Sequence, residues 1–108
     1  MVEPHPPGGG VPGRRCMDSA TKKQVINRLR SVEGHVRGIE RMVEEDAYCI
    51  DVIKQGIAVQ RAMERVNGIM LESHLQSCVT TAIRGEEPEE RERVIGELLD
   101  LFETGSSL

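Results

Sequence analysis

The chain of 108 residues is poor in aromatics, with one Tyr, one Phe and no Trp. Proteins that grip single-stranded nucleic acid stack its bases on aromatic rings, so the composition argues against that mode of binding. Long apolar runs are missing too. Nothing approaches the ~18 consecutive apolar residues of a membrane span, and no charged-then-apolar leader is present, so a cytoplasmic protein is expected. Proline is nearly absent beyond residue 15: four of the five prolines, with four glycines, fall in MVEPHPPGGGVPGRR. That composition cannot bury enough apolar surface to offset its ordering entropy. Residues 1–18 are therefore expected to be a disordered tail, residues 19–104 a helical domain, and residues 105–108 a flexible end. No segment has the alternation of a strand.

What is present is helical periodicity. Val25, Leu29, Val32, Val36, Ile39 and Val43 recur at steps of four and three, a heptad seam on a helix that Asp18 or Ser19 can cap and that runs to about Glu45. An acidic turn at Asp46 and Ala47 follows. From Tyr48 to Arg84 there are 37 residues with no proline and only Gly56 and Gly68 as glycines, which as one helix would be about 55 Å long. Ile53, Ile57, Ala62, Val66, Ile69 and Val79 are expected to face a core there, with Met63 and Met70 as fillers. Gly85 and Pro88 precede a third helix at about residues 89–103. A compact monomer of this size has a radius of gyration of only about 13 Å. The expected fold is thus all-α: a three-helix subunit with a long second helix, pairing antiparallel into a four-helix-bundle dimer.

Three cysteines, an odd number, in a chain without secretory signals suit reduced thiols and metal or redox chemistry better than a disulfide framework. His74 and Cys78 lie four apart, on one face of a helix. Cys49 lies 25 positions before His74, roughly 37 Å along a helix axis. If the three form a site, Cys49 comes from a second antiparallel subunit, and two-fold symmetry gives two identical sites per dimer. Two thiolates and an imidazole are a soft ligand set that selects Cu(I) or Zn(II), and three ligands without a fourth favour Cu(I). Taken singly, a helix-borne Cys also reads as a small buried hydrophobe, and a helix-borne His as a surface or satisfied core residue. A Cys-His hydrolase would need an oxyanion hole and a cleft that the sequence does not signal, so no enzyme is expected.

The net charge of −4 hides an asymmetry. Residues 14–41 carry eight Lys or Arg against three acids, whereas residues 86–108 carry eight acids against two Arg. Arg30, Arg37 and Arg41 are spaced seven and four, and Lys54, Arg61 and Arg65 repeat the spacing, so each trio forms a stripe. A solvated bundle face would account for such stripes as readily as a nucleic-acid surface would.

Two stretches, NRLRSVEGHVRGIERMVEEDAYCIDVIKQ over Asn27–Gln55 and ESHLQSCVTTAI over Glu72–Ile83, together resemble the copper-sensitive operon repressor (CsoR) family over roughly Ser19 to Phe102. The resemblance implies that Cys49, His74 and Cys78 ligate Cu(I), that the homodimer pairs into a homotetramer, and that the metal-free tetramer binds double-stranded operator DNA. Cu(I) would release it and derepress copper resistance genes. It implies DNA contacts by the basic residues of helices one and two, with Arg28 and Arg65 at positions where family members carry DNA-contacting arginines, and without a helix-turn-helix. Tyr48 matches a residue that supports the ligands, and an acid on the third helix completes that network. Ungapped counting from Cys78 puts Val94 at the acid's position, a departure from the family pattern, whereas an insertion in GEEPEE would move the role to Glu97. The nickel and cobalt branch recruits an N-terminal His, such as His5, and has His where this chain has Cys78. A sulfane-sulfur branch lacks the His ligand, so His74 argues against persulfide sensing. A copper-buffering protein without DNA binding remains the rival from another class, and Cys16 has no assigned role.

Overall fold

The computed structural model describes residues 17–106. The tail expected over residues 1–18 lies outside them except for Met17 and Asp18, as do His5, Cys16 and residues 107–108. Every regular element among the described residues is helical. Helix α1 spans Ser19–Glu44 and helix α2 Cys49–His74; a π-helical turn at Leu75–Val79, a short α3 at Thr80–Arg84 and α4 at Pro88–Ser106 follow. No described helix is long and apolar enough to cross a membrane.

Asp18 caps α1, its carboxylate accepting from the Thr21 amide at 2.7 Å. The helix ends in a Schellman turn: the Ala47 amide donates to the Met42 carbonyl at 2.9 Å and the Asp46 amide to the Val43 carbonyl at 3.1 Å. Asp46 sits at φ 58°, a left-handed conformation usually given to Gly that Asp tolerates better than most side chains. The chain reverses there, and the Tyr48 carbonyl receives the amides of Asp51 at 3.0 Å and Val52 at 3.2 Å to open α2. Asp51, in the first turn, places its charge at the positive end of the helix dipole.

Helices α1 and α2 belong to one compact unit, Met17–Ser73. His35 of α1 donates through Nε2 to the Gln55 side-chain carbonyl of α2 at 2.7 Å, while Arg28 and Arg65 share one groove. Positions on α2 fall as those on α1 rise, so the two run antiparallel. The heptad seam splits in two. Val25 is buried and Val32 and Ile39 are half-buried, each seven apart, whereas Leu29, Val36 and Val43, also seven apart, stay exposed. On α2 Val66 is fully buried, but Ile53 and Ile57, expected to face a core, are exposed. Among the described residues, half of this apolar pattern is left uncovered.

The second unit begins at His74. The long second helix is not uniformly α: the Thr80 amide reaches back five residues to the Leu75 carbonyl, and the Thr80 hydroxyl donates to the same carbonyl at 2.5 Å. One acceptor holding both groups widens the turn. Gly85, in extended conformation, ends α3; a Cβ there would meet the Thr81 carbonyl oxygen at 3.3 Å. Pro88 opens α4, with Glu89 and Glu90 in its first turn. Helix α3 packs on α4, and Val79, Ala82 and Val94 are buried.

Because the Thr21 backbone bond first, and its side-chain bond second, favour the charged carboxylate, Asp18 titrates below its ordinary value. A depressed folded value means stability present above the unfolded value and lost as pH falls through the folded one. The wild type should therefore be more stable than Asp18→Ala at neutral pH, with the gap closing below about pH 4. Thermal melts followed by circular dichroism across that range check this; a gap constant with pH removes the charged cap.

Candidate functional site

The candidate ligands occupy distinct local settings. Cys49 is the first residue of α2 and is exposed. His74, the last residue of α2, and Cys78, inside the π turn, are half-buried. A π turn holds one more residue than an α turn, so the four-residue step from His74 to Cys78 stacks their side chains on one side. The Ser77 hydroxyl lies 3.8 Å from the Cys78 sulfur as a weak donor. Among the described residues no three His, Cys, Asp or Glu side chains converge to hold a metal. Donor chemistry nevertheless fits a soft cation: the set is two thiols and one imidazole, without a hard oxygen donor.

Tyr48, the expected support, is 70% exposed. On α4 the two positions that counting offers for the supporting acid, Val94 and Glu97, differ in setting. Val94 is 1% exposed, a packing residue. Glu97, one turn on, accepts from Arg93 Nη1, while Arg93 grips Glu90 bidentately, through Nη2 and, at 3.1 Å, through Nε. The side-chain bond that Arg93 donates to Glu90 is the main cause that raises its guanidinium above the ordinary value; desolvation opposes it and the charges of Glu90 and Glu97 add to it. Sequence reading missed this clasp, although Glu90, Arg93 and Glu97 at i, i+3 and i+7 carry its signal.

Of the basic residues singled out, the structure brings two together. Arg28 and Arg65 line a groove of about 260 Å³ with Ser31, Val32, His35 and Ala62. Arg30, Arg37, Arg41, Lys54 and Arg61 are exposed and outside it. Arg37 stands 3.9 Å from Glu33, both side chains about two-thirds exposed, an ion pair of little energetic weight. Ser31 and His35 were missed, yet Arg28, Ser31 and His35 at i, i+3 and i+7 share a helix face.

Comparison with known proteins adds a common frame. A family model described as metal-sensitive transcriptional repressor matches residues 21–104. The copper-sensing transcriptional repressor CsoR of Mycobacterium tuberculosis (strain ATCC 25618 / H37Rv) is 52% identical over 65 residues, 60% of this chain and 55% of that protein. The chain thus spans about half the length of its mycobacterial relatives. CsoR of Bacillus subtilis (strain 168) is 48% identical over 84 residues, 78% of this chain and 80% of that protein. Among solved structures, the copper-sensing repressor CsoR with Cu(I) from Geobacillus thermodenitrificans NG80-2 superposes with a TM-score of 0.75 at 34% identity, covering 83% of this chain and 91% of that one. The nickel-responsive transcriptional regulator InrS gives 0.65 at 36% identity, covering 74% and 90%. The relatives are regulators of transcription, not enzymes.

Thr80→Val keeps the shape of the side chain and removes the hydroxyl that helps hold the π turn. We expect helix content to persist and the affinity of the His74 and Cys78 pair for a thiolate-seeking metal to fall by about tenfold. Anaerobic metal titration checks this; unchanged affinity separates Thr80 from the site.

Proposed function

Since the chain belongs to the metal-sensitive transcriptional repressor family, we propose that it is a Cu(I)-responsive repressor: metal-free, it binds operator DNA, and Cu(I) binding lowers that affinity so that copper resistance genes are transcribed. The supporting observation is the donor set, Cys49 at the start of α2 with His74 and Cys78 across the π turn. Two sulfurs and one nitrogen suit Cu(I) in three-coordinate form, and a second antiparallel copy would supply the ligand that one copy lacks. The nickel reading has the InrS likeness behind it, but Cys78 supplies a soft thiolate that octahedral first-row sites do not favour.

Each residue has a separate task in this reading. Cys49, His74 and Cys78 hold the sensed ion; Tyr48 and Glu97 orient the imidazole through its second nitrogen. Arg28 and Arg65 in the groove, and Arg30, Arg37, Arg41, Lys54 and Arg61 outside it, neutralise phosphates of the duplex, and sequence is read largely through DNA shape. The working species is a homotetramer built from two homodimers, with residues 19–104 as its metal-sensing and DNA-binding domain. Linkage demands that DNA weaken metal binding by the factor by which metal weakens DNA binding, typically about 1–3 kcal/mol.

Cys49→Ala and Cys78→Ala should each abolish tight Cu(I) binding and leave metal-free DNA binding intact. A mixed dimer of a Cys49→Ala subunit with a His74→Ala/Cys78→Ala subunit should retain one complete site, because its intact ligands meet at one end. Anaerobic Cu(I) titration with X-ray absorption counts the ligands; a mixed dimer with no site rejects the shared arrangement.

Arg28→Ala and Arg65→Ala should weaken operator binding and flatten the slope of log affinity against log salt by about one unit for each phosphate no longer neutralised, multiplied by symmetry. Copper stoichiometry should stay as it is. Salt-series gel shifts decide the matter: unaltered affinity and slope in both variants would favour a copper-buffering protein.

A further inference from the structure

The groove between α1 and α2 is lined by two guanidiniums and, among its lining residues, no carboxylate. Its apolar members, Val32 and Ala62, are half-buried, and weakly polar walls strengthen any charge interaction made against them. The Ser31 hydroxyl donates to the Asn27 carbonyl at 3.3 Å, long for an O–H donor, so it can turn toward a better acceptor. These groups suit an anion with several oxygens. His35 adds a condition.

His35 Nε2 faces the Gln55 side-chain oxygen at 2.7 Å. A carbonyl oxygen only accepts, so this bond keeps the ring proton on Nε2, and in the neutral ring Nδ1 carries a lone pair. A lone pair repels an anion. The ring can donate from Nδ1 only after taking up a second proton.

We infer that this groove seats one tetrahedral oxyanion, a phosphate group, and that His35 takes up a proton from solvent when the anion binds. The inference rests on the reading of this face as DNA-binding and goes beyond it by making the binding proton-linked. Nδ1 gains the proton and donates it to a phosphate oxygen; Nε2 keeps its bond to Gln55; the ring gains one positive charge that the anion offsets. Arg28 and Arg65, the charged groups facing the groove from α1 and α2, hold their protons throughout. They contribute salt dependence without pH dependence. His35 contributes both, so affinity should rise as pH falls, by at most about tenfold per pH unit for each proton taken up. Gln55 is a positioning residue: Gln55→Leu lets the neutral ring donate through either nitrogen, so the proton linkage should weaken more than the affinity does.

The phosphate can be a backbone phosphodiester of duplex DNA or free inorganic phosphate, and two titrations separate these. The full metal-free chain is titrated calorimetrically with duplex DNA from upstream of its own gene, at about neutral pH, in two phosphate-free buffers of different ionisation enthalpy. The wild type should take up protons, and His35→Phe and His35→Gln should take up fewer; the Gln variant keeps a hydrogen-bonding side chain should Phe disturb packing. Wild-type binding without proton uptake, or uptake unchanged in both variants, overturns the inference while the repressor reading stands. If the wild type binds no duplex, that reading fails, and the groove is then judged by nuclear magnetic resonance of the His35 ring during addition of inorganic phosphate. A saturable move to imidazolium signals supports the seat for free phosphate; an unmoved ring overturns it.

Discussion

Apolar surface that the described helices leave uncovered is the constraint on which the other features depend. Leu29, Val36 and Val43 on α1 and Ile50, Ile53 and Ile57 on α2 are between 39% and 60% exposed. Covering the exposed half of six such side chains is worth about 5–9 kcal/mol. That equals much of the stability of a whole small domain. On the reading proposed above, a second copy of the same hairpin would cover it, and would supply at once the apolar cover and the thiol or imidazole that each half-site lacks. Fold and sensing then share one interface.

Helix α2 ties the chemistry to the basic face. Cys49 is its first residue, Gln55 follows on the second turn, and Arg65 lies further along. The six-residue step from Cys49 to Gln55 is about 9 Å of helix, so on the proposed reading an ion held by Cys49 would act on the same helix that anchors His35 and carries Arg65. A small shift of α2 against α1 would change the spacing of Arg28 and Arg65 across their groove. No contiguous wire of side chains is needed, only two packings of one hairpin that metal and DNA prefer differently.

Much of this was legible in the order of residues. The heptads of α1, the Asp18 cap, the turn at Asp46 and the Pro88 start all follow from local rules that the structure obeys. Two features were not. The π turn depends on Thr80 sharing the Leu75 carbonyl between its amide and its hydroxyl, a choice that helix propensity does not encode, since Thr is acceptable in either turn. The groove depends on α1 and α2 meeting in one register, so that Arg28 and Arg65, which spacing alone set on separate helices, become neighbours. The sequence also suggested more core than one chain possesses: periodicity marks the side chains that avoid water and does not distinguish a partner within the chain from one outside it.

The tight Schellman turn at Asp46 has a kinetic consequence. With only a few residues joining α1 to α2, the contacts between them are local, and such hairpins close within microseconds to milliseconds. A newly made copy would therefore hold its arginine groove before it meets another. Its metal site, on the arrangement proposed, waits for an encounter and forms at a rate that grows with the square of protein concentration. At low copy number the cell would contain unpaired chains that are blind to copper, and sensitivity would be set by the protein's own abundance as much as by the strength of its ligands.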